Sequence, residues 1–116
     1  MIRPWNNPQH DIGLAFAAKS STLFVAEEKS ALVGTVMVGY DGHRGWIYYL
    51  AVDPDFQKRG IGKQLYGASE KWLGEQDCPK LQLMIREDNE PVKQFYEKMG
   101  LSEEPRIIMS RRLGKS

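Results

Sequence analysis

The 116-residue sequence carries a single cysteine, Cys78, and only two histidines. One cysteine excludes an intramolecular disulfide, and with so few histidines a Cys/His zinc site is not expected. No apolar run approaches the roughly 18 residues needed to span a bilayer. The opening residues, with Pro4, Asn6, Asn7 and Pro8, lack the apolar core of a signal peptide. Charge of one sign is missing too. Sixteen Lys and Arg stand against fifteen Asp and Glu, net +1, so no global field advertises nucleic acid or an anionic membrane. Neither is expected as a partner, and the cytoplasm is the default location. What is present, 41% hydrophobic and 27% charged residues, is the composition of one globular domain spanning 1–116.

No internal repeat or low-complexity tract is visible. Arg3 to Pro8 reads as an irregular leader, and Asp11 to Lys19, with its alanines, as a short helix. Leu23–Ala26 predicts a strand and Ala31–Tyr40 a second in hairpin spacing. Asp41–Gly45 carries Asp-Gly, a turn signal, before a third strand over Trp46–Val52. In that strand Ile47 is out of phase with Leu50 and Val52. Such a slip fits a β-bulge, although Tyr48 and Tyr49 half-buried on both faces would read the same. From Gly60 the period changes. Ile61, Leu65, Ala68, Trp72 and Leu73 recur at three- and four-residue steps, an amphipathic helix ending near Gly74. Lys80–Ile85 is expected as a strand. Asn89–Met99 is expected as a helix capped by Asn89, with Pro91 in its first turn and Gly100 as its stop. Ile107–Leu113 is expected as a last strand. The order points to an α+β or mixed α/β sheet with helices packed on it.

The stretch Gln57-Lys58-Arg59-Gly60-Ile61-Gly62 falls between a strand and a helix. Glycines there let several backbone N–H groups converge, and the helix adds its positive dipole end, so the loop can cradle a diphosphate. Lys58, Arg59 and Lys63 add charge. A dinucleotide fingerprint would need glycine where Leu65 stands, and a P-loop would need Ser or Thr at Gln64 and glycine at Gln57. What remains is Q-x-x-G-x-G, which taken alone is also compatible with a tight turn.

That loop follows Leu50-Ala51-Val52-Asp53-Pro54. A second block comprises Asn89 and Phe95-Tyr96-Glu97-Lys98-Met99-Gly100-Leu101. Together, at this spacing, they resemble the two signatures of the GNAT superfamily of N-acetyltransferases. The likeness runs from about Leu23 to Leu113. Gly39–Gly45, Cys78-Pro79-Lys80, Glu87-Asp88-Asn89 and Arg3–Asn6 are similar to the bacterial YpeA-like branch. The resemblance implies a mainly antiparallel mixed sheet splayed by a β-bulge, with helices on both faces. It also implies acetyl-CoA as co-substrate, no metal, and direct acetyl transfer to a primary amine of a small molecule or peptide.

By the same resemblance, the backbone of Leu50, Ala51 and Val52 would pair with pantetheine, and an N–H there would polarise the thioester carbonyl. The N–H groups from Gln57 through Lys58, Arg59, Gly60, Ile61 and Gly62 to Lys63 would hold the pyrophosphate. Asn89 would contact the cofactor as well as cap its helix. Tyr96 would give the departing thiolate a proton or a hydrogen bond. Core packing beside Val92 and Met99 is the plainer role for that tyrosine. Many relatives carry a carboxylate base where Trp46 or Met84 stands, which leaves Asp41, His43, Glu87 and Tyr49 as local alternatives. Cys78, before Pro79, reads as structural. Relatives place a strand and a helix before the equivalent of Arg3-Pro4-Trp5, so the domain is expected to be N-terminally short. An exposed sheet edge would then favour a homodimer. A CoA-binding module without turnover is the alternative to an enzyme.

Overall fold

In a computed structural model the protein is described over residues 11–17 and 20–114. The leader Arg3–Pro8 lies outside the described residues. Five strands form one sheet in sequence order: β1 (Asp11–Ala17), β2 (Ser21–Glu28), β3 (Ala31–Tyr40), β4 (Gly45–Val52) and β5 (Leu81–Leu83). The first four pair antiparallel, and β5 joins β4 in parallel. Helix α1 (Ile61–Glu75) crosses from β4 to β5, and α2 (Glu90–Lys98) follows β5. The sheet with α1 is one compact unit, ending at Met84; Ile85 begins a second that contains α2.

Residues expected to be helical form β1. Ile12, Leu14 and Phe16 recur at every second position, the period of a strand. Gly13 interrupts any helix, and β2 supplies a ladder, Ile12 facing Ala26 and Leu14 facing Phe24. Alanine content favoured the wrong element, because propensity yields to an available partner. The expected last strand, Ile107–Leu113, is also corrected. It makes no ladder among the described residues, and Ile107 is 90% exposed. Its β-branched residues suit a strand, but a strand forms only against a partner.

One face of the sheet is dry. Thr22, Phe24 and Ala26 on β2, Gly34, Val36 and Val38 on β3, and Ile47 on β4 alternate along their strands and are all buried. Cross-strand register sets Phe24 beside Val36 and Val38 beside Ile47. Helix α1 covers this face with Ile61, Leu65 and Leu73. Two glycines allow the close approach. A Cβ on Gly34 would lie 2.9 Å from Leu65 Cδ1, and one on Gly45 would lie 2.6 Å from Leu73 Cδ2. Any side chain at either position would lift the helix or force the leucine aside.

In the second unit, Asn89 Oδ1 accepts from Val92 N–H at 3.4 Å and Pro91 occupies the first turn of α2, as expected. The stop at Gly100 is a Schellman turn. Gly100 has φ 97°, its N–H donates to Glu97 O, and Leu101 N–H donates to Tyr96 O. Lys93 Nζ and Glu103 form an ion pair at 2.8 Å that ties α2 to the chain beyond it.

Candidate functional site

The irregularity in the third expected strand is a β-bulge. Thr35 pairs with Ala51 and Met37 with Tyr48, so β3 advances two residues while β4 advances three. Tyr49 and Leu50 have no register partner on β3. Tyr49 takes φ 52°, a left-handed conformation costly for a bulky residue, and is 82% exposed. Sequence phase located the bulge; nothing in composition marked the tyrosine as left-handed.

On its other side β4 is paired only at its start. Gly45, Trp46 and Ile47 meet Leu81, Gln82 and Leu83, and there the parallel ladder ends. Tyr48–Val52 continues without a β5 partner. Leu50, Ala51 and Val52 therefore carry backbone groups on an unladdered stretch of β4. An extended, amide-bearing ligand could pair there as another strand would.

After Val52 the chain is anchored before it reaches α1. Asp53 N–H donates to Val33 O at 2.8 Å, and the Asp53 side chain accepts from Asp55 N–H at 2.9 Å. This caps a single 3-10 turn over Pro54–Phe56, which no sequence signal marked. Gln57 Nε2 donates back to Val52 O at 3.3 Å. Lys58 and Gly60 both have positive φ, 65° and 81°. The first bond of α1 runs from Gln64 N–H to Gly60 O, and no side chain caps the helix. A helix start leaves its first N–H groups without intrahelical acceptors and carries about half a positive charge. A Cβ at Gly60 would meet nothing within 4 Å, so the space before the helix is open. Those features suit a diphosphate.

The site residues expected from sequence divide here by what they offer. Gly60, Gly62 and Lys63 present backbone N–H groups at the helix start, and the Lys58 and Lys63 side chains are exposed. The Ile61 side chain is buried in the core, leaving only its backbone for a ligand. The Arg59 side chain reaches the end of β2. Its Nη1 is 3.4 Å from both carboxylate oxygens of Glu28, and its guanidinium lies 4.8 Å over the Phe56 ring.

Asn89 and Tyr96 belong to the second unit. Tyr96 is 6% exposed, and its ring meets Phe95 edge-on at 5.0 Å. Burial pushes its phenol up to about 12, so it stays protonated throughout the physiological range. Among the alternative bases, Asp41 is occupied in the turn. It accepts from His43 and Arg44 N–H at 2.8 and 2.7 Å, bonds that hold its carboxyl below the usual range. Trp46 lies within the β4–β5 ladder, and Met84 is exposed just beyond it. Cys78 Sγ donates to Lys80 O at 3.2 Å in a cavity of about 330 Å³ that includes Glu70 and Leu73, at the other end of α1 from the glycine loop. Among the described residues no acidic, His or Cys cluster could hold a metal.

The profile of the acetyltransferase (GNAT) family matches residues 2–101. An acetyltransferase of Yersinia enterocolitica is 45% identical over 113 residues, which cover 97% of this chain and 80% of that protein. One from Pectobacterium atrosepticum matches with the same identity and coverage. An aminoglycoside N-acetyltransferase in complex with CoA superposes with a TM-score of 0.75 at 21% identity, over 84% of this chain and 79% of that one. Glucosamine-6-phosphate N-acetyltransferase from Arabidopsis thaliana superposes at 0.69 with 25% identity, over 82% and 68%.

Proposed function

The chain belongs to the GNAT family of acetyltransferases, and from that premise we propose that it transfers the acetyl group of acetyl-CoA directly to a primary amine of a small molecule or peptide. The carrying observation is the bulged, partly unladdered β4 leading into an uncapped, glycine-started α1. Acetyl-CoA supplies an activated thioester, and a cytoplasmic reaction is part of the same proposal.

Leu50, Ala51 and Val52 offer backbone groups to the amides of the pantetheine arm. Gly60, Ile61, Gly62 and Lys63 offer N–H groups to the diphosphate, with the charges of Lys58 and Lys63 nearby. Asn89 caps α2, and the cap and a cofactor contact are compatible roles for its two polar ends. Tyr96, its phenol pushed up to about 12, stays protonated in the physiological range and offers a hydrogen bond to the departing sulfur. An amine attacks only when deprotonated, and Glu87, His43 and Tyr49 are the groups outside the Asp41 turn bond that could accept its proton, directly or through water.

One feature favours the second reading, a CoA-binding module. Trp46 and Met84 cannot take a proton from an ammonium. Two measurements separate the readings. CoA should raise the melting temperature, and Gly60→Val, which forces a β-branched residue into φ 81°, should remove that shift. Acetyl-CoA with a panel of small amines and peptides should then release free thiol faster than buffer alone. Binding without release on any amine selects the module; no binding at all ends both readings.

A further inference from the structure

The glycine loop needs something to hold it. Gln57, Lys58, Arg59 and Gly60 are all exposed, and two of the four sit at positive φ, one of them a lysine. A left-handed lysine is a strained backbone position that persists only where its surroundings impose it. No apolar side chain of these four residues is available to do so, since Ile61 is the first to enter the core. Two side chains reach anchors instead. Gln57 returns to Val52 O, and Arg59 reaches across to the end of β2, with both Glu28 oxygens 3.4 Å from one guanidinium nitrogen. The same guanidinium packs on Phe56, 4.8 Å from the ring centroid. Phe56 itself closes the capped turn that Asp53 begins, and its N–H donates to Asp53 O at 2.8 Å. The carboxylate and the ring thus grip one planar cation from rigid elements on either side of the loop.

An ion pair with side chains 27% and 50% exposed contributes little to global stability. Its effect falls on the segment between its anchors. We infer that Glu28 is a positioning residue for the acetyl donor: with Phe56 it clamps Arg59, and the clamp fixes the N–H groups of the loop toward the diphosphate. The Arg59 side chain is then a brace and not a phosphate ligand, while its backbone N–H stays among those of the loop. The inference rests on the acetyl-CoA reading above.

The opposite possibility has an opposite signature. If Arg59 bonds the phosphates, Glu28 competes with them, and removing its charge tightens binding. The test compares the wild-type chain with Glu28→Gln and Arg59→Gln, singly and together, using CoA binding and steady-state transfer. Glu28→Gln should weaken CoA about three- to fivefold, the range open to one exposed ion pair. The acetyl-CoA KM should rise likewise, with kcat at saturation within twofold and the melting temperature of the free protein unchanged. S-Acetylpantetheine, which has no diphosphate, should be used equally well by both. The double variant should be no weaker than Arg59→Gln alone, because both changes break one contact. Unchanged or tighter CoA binding in Glu28→Gln overturns the clamp, as does an equal loss with S-acetylpantetheine. Failure of the wild type to bind CoA would instead reject the functional reading on which the clamp rests.

Discussion

Tyr96 shows how one side chain can be read two ways until its environment is known. At helical spacing from Val92 and Met99 it looks like core. It is buried, but burial is also what holds its proton, raising the phenol to about 12. Tyr96→Phe keeps the ring and deletes the hydroxyl. With a donor role, kcat should fall roughly 10²–10⁴-fold while CoA affinity and the amine KM change little. A loss under about threefold, with chemistry rate-limiting, would reduce Tyr96 to packing. The pH dependence follows from the same shift. An unfolded tyrosine loses its proton near 10 and the folded Tyr96 near 12, so between these values only the folded state retains it. Tyr96 therefore favours folding fully below pH 10, and that contribution falls as pH rises toward 12. The tyrosinate absorbance missing from Tyr96→Phe should be the part that titrates late in the wild type. Tyr49 carries the converse lesson: its exposure and left-handed φ arise from the pairing of β3 and β4, which no local sequence signal encodes.

Among the elements, α1 and the sheet under it show what glycine contributes to packing. The alternation of Phe24, Val36, Val38 and Ile47 against Ile61, Leu65 and Leu73 could be read as two apolar faces in need of each other. Their distance could not. It is set by Gly34 and Gly45, where a methyl would overlap leucines of the helix. Gly45→Ala should destabilise by about 1–3 kcal/mol, the usual cost of overpacking. Leu73, 2% exposed, has little room to yield, and Cys78 Sγ would be only 2.9 Å from the new carbon. Adding Leu73→Ala should cost less in the Gly45→Ala background than alone, measured by denaturant unfolding. Additive losses would show that the two positions do not meet. Helix α2, expected over Asn89–Met99 and found over Glu90–Lys98, was legible because Asn89, Pro91 and Gly100 are local signals whose partners lie within a turn. Asp11–Ala17 and Ile107–Leu113 depart from their local signals for the converse reason: whether a chain becomes a strand depends on a neighbour far away in sequence.

Across the whole molecule, the proposed direct transfer gives Cys78 no part in the reaction. It lies half-buried at the far end of α1 from the loop, with its thiol on Lys80 O. Cys78→Ala should keep transfer within about twofold and lose at most about 1 kcal/mol of stability; an acetylated Cys78 that passes its acetyl group to an amine would overturn this. Family membership was within reach of the bare sequence, since Leu50–Pro54, Gln57–Gly62 and the Asn89–Leu101 block are contiguous motifs, and contiguity survives without coordinates. The same holds for the helix starts and the glycine stop, which rest on bonds between near neighbours. Tertiary structure alone decided three matters. It ended the β5 ladder at Ile47, leaving Tyr48–Val52 without a β5 partner, and it made Asp11–Ala17 a strand paired with β2. It also drew Arg59 from the loop to Glu28, 31 residues away in sequence. Each depends on groups distant along the chain meeting at a few ångströms, and a pattern of neighbours carries no information about which distant group will be there.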